Sequence, residues 1–152
     1  MNAVKGRPKA VILRALVVWL AVLALAVLNG GAREAWLIPR LGPGPGRVLS
    51  AVSLCLLIFL VTWLTIGWIR PANAGSALWV GVLWLGLTLA FEFGAGHYLF
   101  HKPWAALLED YDVSRGRVWP VVLVVVLLAP LLAARMRGLL WKNDVDGPAG
   151  DL

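Results

Sequence analysis

Four apolar runs, each close to the length of a membrane crossing, decide the class of this chain before any motif is considered. A hydrocarbon core about 30 Å thick needs roughly 20 apolar residues in a helix, within a range of about 17–25. Runs at about 10–28, 48–69, 76–100 and 118–134 fit that requirement. Composition removes the alternative of a soluble core. Hydrophobic residues make up 61% of the 152 positions and charged residues 14%, against roughly 45–50% and 25% in soluble domains. A chain of about 150 residues still leaves around 30% of its surface exposed, so this excess has no interior to occupy. A soluble monomer and a disordered chain are excluded. The expected fold is an all-α integral membrane protein, with four transmembrane helices in a bundle and short interfacial helices in the first and third loops. One membrane domain covers 1–142, and a flexible polar tail covers 143–152.

Details within the runs fit this reading. Arg14 lies one turn inside the first run, where a long side chain snorkels to the head groups. Pro120 falls in the first turn of the fourth run, where a missing N–H costs nothing. Pro130 falls inside that helix and is expected to kink it unless neighbours satisfy the freed carbonyl. The basic start (Lys5, Arg7, Lys9) and Gly30-Gly31-Ala32 resemble a signal peptide, but Trp19 and the length of the run favour a retained anchor.

Lys and Arg set the orientation. Both termini in the cytoplasm places eight basic residues inside and six outside, and the basic N-terminus supports that choice. The net charge of +6 comes from basic residues scattered between apolar spans. It reads as topology and attraction to anionic lipid rather than nucleic-acid binding. Rich Ala, Gly, Val, Leu, Arg and Trp with little Lys or Asn suggests a GC-rich bacterial genome, hence an inner-membrane location.

The two longer loops share one face. Asn29–Arg47 offers one or two amphipathic turns over Ala32–Ile38, then Gly42-Pro43-Gly44-Pro45-Gly46, expected to be an irregular return. His101–Arg117 is expected to hold an interfacial helix from about Pro103 to Tyr111. Arg70–Gly75 is a tight turn.

Glu92 carries the most information. It follows sixteen uncharged residues, Ser76 to Phe91, about 24 Å along the span at 1.5 Å per residue, on the side of the long loops. A carboxyl group at that depth costs several kcal/mol unless paired, protonated or wetted. Arg33, Arg115 or Arg117 is the expected partner, and the alternative is proton, ion or substrate handling. His97 and His101 share a helical face if the helix persists, as weak metal-ligand candidates with Glu109, Asp110 or Asp112. Tyr98 stands where a metalloprotease HExxH motif needs Glu, so that chemistry is not matched. No cofactor is implied, and the single cysteine, Cys55, excludes a disulfide scaffold and a CxxC redox pair.

The acids Glu34, Glu92, Glu109, Asp110 and Asp112 nearly balance Arg33, Arg40, Arg47, Lys102, Arg115 and Arg117 on the same face. The expectation is a self-paired cap stapling the loops, with a head-group pocket or a protein-docking face as alternatives. Gly86, Ala90 and Gly94 form a small-residue ladder, and Ala77 with Gly81 a second pair, for helix packing or a homo-oligomer interface. Trp68, Trp79, Trp119 and Trp141 read as interfacial belt residues.

Functionally, the leading expectation is a non-enzymatic accessory subunit or scaffold whose partners are the bilayer and a larger membrane complex or its own copies. The alternatives are a proton-coupled transporter using Glu92, or a lipid- or quinone-modifying enzyme using Glu92 with His97 or His101.

Overall fold

The computed structural model describes residues 7–140, so Trp141 and the expected tail over 143–152 lie outside the described residues. Every regular element among the described residues is helical. Four helices are long and apolar enough to cross a membrane: Pro8–Leu41, Pro43–Ile69, Ala74–Leu99 and Trp119–Met136.

The first is longer than its apolar run. Helix α1, Arg7–Ala32, passes through a π-helical turn, Arg33–Leu37, into α2, Ile38–Leu41. At 1.5 Å per residue this 34-residue rod is about 51 Å long, far more than a 30 Å core requires. The part expected to be a loop is therefore largely helix.

The Gly-Pro tract corrects a second expectation. Only Gly42 is non-helical (φ 85°), and α3, Pro43–Ile69, starts immediately after it. Pro43 and Pro45 fall in the first turn, where backbone N–H groups have no partner and the proline φ is already helical. Gly42 supplies the left-handed step, and Gly46 N–H donates to its carbonyl at 3.1 Å. Gly46 also lets α3 start against α2. A Cβ there would stand 3.1 Å from the Ile38 backbone nitrogen.

Helix α3 ends at Arg70 in the left-handed region (φ 53°), followed by Pro71. A capping box starts α4, Ala74–Gly94: Ser76 N–H donates to Asn73 Oδ1 at 2.8 Å, and Asn73 N–H donates to Ser76 Oγ at 3.0 Å. A π-helical turn, Ala95–Leu99, extends α4. Helix α5, Trp104–Glu109, a 3₁₀ turn, Val113–Arg115, and α6, Trp119–Met136, complete the chain. Helix α6 runs unbroken through the buried Pro130.

Helix α3 packs on α1 and α6, and α4 packs on the same two helices. The buried face of α3 is an i+4 row, Gly46, Ser50, Leu54, Ile58, Thr62 and Ile66, with Ile69 added at its end. Such rows form the ridges by which helices interdigitate. Thr62, fully buried, donates its hydroxyl to the Ile58 carbonyl at 2.6 Å and so brings no unsatisfied polar atom into the core. The opposite row of α3, Leu56, Leu60 and Leu64, is exposed. An apolar exterior over a packed interior is what a lipid solvent permits.

Among the described glycines the tightest approach to another helix is at Gly81, not on the longer ladder. A Cβ on Gly81 would lie 1.9 Å from the Leu127 carbonyl oxygen, whereas Gly86 and Gly94 have nothing within 4 Å of that position. Gly86 and Ala90 lie on the exposed side of α4. One turn from Gly81, the fully buried Trp84 donates its indole N–H to the Ala15 carbonyl at 2.9 Å and ties α4 to α1. Trp84→Phe should lower stability by about 1–2 kcal/mol through loss of that bond and a small void, read as thermal unfolding in detergent. An unchanged midpoint would contradict this assignment.

At the end away from the long loops, Arg14 donates to the Trp68 carbonyl at 2.9 Å and lies over its ring at 5.6 Å. Arg137 donates to the Trp63 carbonyl at 2.9 Å. Both guanidiniums thus occupy carbonyls near the last turns of α3, where the helix dipole favours positive charge.

Candidate functional site

Glu92 occupies the last turn of α4, where the third loop folds back. The Tyr111 hydroxyl donates to Glu92 Oε2 at 2.5 Å, and the Trp119 indole N–H donates to the same oxygen at 2.9 Å. The expected arginine partner is absent from this contact. Two neutral donors satisfy the oxygen without bringing a second charge out of water, which would carry its own desolvation cost. The partners come from two elements. Tyr111 follows α5, and Trp119 opens α6, so the acid joins three parts of the chain.

Aromatic packing holds this arrangement. The Phe93 ring stacks on Tyr111 at 5.7 Å and on Trp104 at 6.3 Å, and Trp104 stacks on His97 at 4.2 Å. Leu107 is buried over Gly96, where a Cβ would approach its Cδ2 to 2.6 Å. Helix α5 is therefore seated by Leu107 and Trp104, and Tyr111 is delivered to the acid. Burial, and then the hydrogen bond to Glu92, pushes the Tyr111 phenol well above its ordinary value. It stays protonated, and so remains a donor, through the physiological range.

The two histidines part company. Phe100 N–H donates to the Ala95 carbonyl at 2.9 Å and Lys102 N–H to Gly96 at 2.9 Å, closing the helix end with His101 in the left-handed region (φ 53°). The helical face that would have aligned the pair stops between them. His97 Nδ1 lies 3.0 Å from the Lys102 carbonyl, while His101 is exposed. Among the described residues no group of three His, Cys, Asp or Glu side chains is placed to hold a metal.

The charged cap pairs locally. Arg33 meets Glu34 at 3.1 Å, Arg115 meets Asp112 at 3.2 Å, and Arg117 meets Asp110 at 3.4 Å and Glu109 at 4.0 Å. Asp112 also accepts from Ser114 N–H at 3.0 Å and from its hydroxyl. Each of these pairs lies within one loop, so none ties the first loop to the third. Arg115→Gln should change stability by less than about 1 kcal/mol, because exposed pairs gain little in high dielectric. A larger fall in the unfolding midpoint would show that this pair does more than its exposure allows.

Between the loops lies a cleft of about 340 Å³. The first loop and the adjoining helices supply Asn29, Arg33, Glu34, Arg47 and Ser50, and the other side supplies Glu92, Lys102, Asp110, Arg117 and Trp119. A smaller cavity of about 160 Å³ lies beside it under Phe91, Leu107 and Tyr111 and shares the Glu92 wall. Glu92 Oε1 makes no hydrogen bond. Since no buried side-chain oxygen among the described residues lacks a partner, Oε1 reaches open space. One oxygen of this carboxyl group is thus fixed and the other is available. Both π-helical turns lie beside this region, and such turns occur often at functional sites.

The sequence reading passed over Tyr111, Trp119, Asn29 and Ser50 as site residues. Trp119 looked like a belt residue, although an indole N–H at the start of a span needs an acceptor when it turns inward. Comparison with protein-family models, curated proteins and solved structures gives no match for this chain.

Proposed function

We propose that the chain is a multi-pass protein of a bacterial inner membrane, with both termini in the cytoplasm. It acts there as a non-enzymatic accessory subunit or scaffold of a membrane assembly. The four long helices form its bundle, and the Arg33–Leu41 segment and α5 lie at the membrane surface. The observation that carries this reading is the convergence of Tyr111 and Trp119 on one oxygen of Glu92. The acid at the end of α4 is used to fasten the cap, as a structural member would be. The exposed outer rows of the helices leave faces on which a neighbouring subunit can pack. The test is extraction of the full chain from its native membrane in mild detergent, followed by identification of what accompanies it in fixed ratio.

A second reading has its own observation. Glu92 Oε1 opens into space beside a polar cleft, as the titrating group of a proton-coupled transporter or a lipid- or quinone-modifying enzyme would. Glu92→Gln separates the two readings, since one amide oxygen can still accept from both Tyr111 and Trp119. Proton flux in proteoliposomes that Glu92→Gln abolishes would favour transport. Flux no greater than that of empty liposomes is expected for a scaffold.

A further inference from the structure

The cleft changes from charged to apolar in the same direction on two of its walls. Along α3 the lining residues run Arg47, Ser50, Leu54, and along the α1 rod they run Arg33, Asn29, Ala26. Each series spans eight residues, seven steps and about 10 Å of helix, from the loop end towards the middle of the span. A soluble anion needs only the upper part of such a cleft. A graded wall fits an amphiphile with its head group at the loops and its chain along the helices.

The charges specify the head group. Four basic and three acidic side chains line the cleft, which leaves one positive charge when all the acids are ionised. Arg33 and Arg117 are occupied by acids of their own loops, whereas Arg47 and Lys102 have no acid within 4.0 Å among the described residues, and of these two Arg47 is the one that shares the α3 wall with Ser50. Asn29 Oδ1 accepts from the buried Ser50 hydroxyl at 2.5 Å. Its amide nitrogen makes no hydrogen bond and is not a buried orphan, so it is a free donor. A fixed amide donor and an unpaired guanidinium lining the same cleft suit a phosphate oxygen. A volume of about 340 Å³ is at the lower end of ligand-sized pockets, about 300–1,000 Å³.

We propose that this cleft binds the phosphodiester head group of an anionic phospholipid. Arg47 and the Asn29 amide hold the phosphate, and the first methylenes of the acyl chains lie against Ala26 and Leu54. This site does not require the scaffold reading, because a transporter or an isolated subunit would bind the same lipid.

The test uses the full chain in detergent micelles with equal amounts of phosphatidylglycerol and phosphatidylcholine, with retained lipid read by native mass spectrometry. The expected result is about tenfold more phosphatidylglycerol than phosphatidylcholine on the wild type. That preference should be lost in Arg47→Gln and kept in Arg70→Gln, which removes a charge at the opposite end of α3. Millimolar inorganic phosphate should leave the bound lipid in place. Equal retention of the two lipids, an unchanged preference in Arg47→Gln, or displacement of the lipid by inorganic phosphate would each overturn the proposal.

Discussion

Gly81→Ala should lower the stability of the protein by about 3 kcal/mol or more, at or beyond the upper end of the usual cost of overpacking, about 1–3 kcal/mol. The added methyl group would sit 1.9 Å from the Leu127 oxygen, 2.9 Å from its carbonyl carbon and 3.3 Å from its Cα. These are backbone atoms inside α6, so no rotamer change relieves the clash. Helix α4 must draw away from α6, and it does so one turn from Trp84 and its bond to α1. Gly86→Ala is the matched control, because nothing lies within 4 Å of its added methyl group. It should leave stability unchanged or raise it slightly, since Ala is favoured over Gly in helices by about 1 kcal/mol. Thermal unfolding of both variants in the same detergent checks the pair. Equal midpoints for the two would contradict the assigned α4–α6 contact.

The second large effect is at Glu92. Glu92→Leu removes the acceptor of two donors at once, and each polar group left unsatisfied costs about 1–3 kcal/mol. Tyr111 is half-buried and can turn towards water, so a total of about 2–4 kcal/mol is expected. The loss should be local first. The segment from Trp104 to Arg117 should exchange its amide hydrogens faster, while the α3 core keeps its protection. Glu92→Gln retains one oxygen for both donors and should cost about 1 kcal/mol or less. Equal destabilisation by Leu and Gln, or unchanged exchange in the third loop, would show that the two donors do not fasten the cap.

The parts legible in the sequence are those fixed by solvent and local chemistry. Apolar length marked the four spans, and the short Arg70–Gly75 break between the second and third marked the tight turn. The Gly-Pro tract misled because prolines that break a helix interior are well placed in its first turn, and Gly42 alone supplied the reversal. His97 and His101 looked paired because spacing assumes a continuing helix, and the chain leaves the helix between them. Gly81 and Gly86 have similar sequence surroundings. Only the path of α6 decides that the first meets a backbone and the second does not. Glu92 stood out by its depth, but its partners were sought among charges because neutral donors carry no comparable signal. Tyr111 reaches it because Leu107 seats α5 over Gly96, and Trp119 because α6 packs on α4, long-range consequences that no local pattern encodes.

Native mass spectrometry of the assembly taken from its own membrane, under conditions that keep subunits together, tests the scaffold reading most directly. The account predicts a second, different membrane protein in fixed stoichiometry with this chain, retained in Glu92→Gln. A lone chain or homo-oligomer, together with proton flux that Glu92→Gln abolishes, would contradict it.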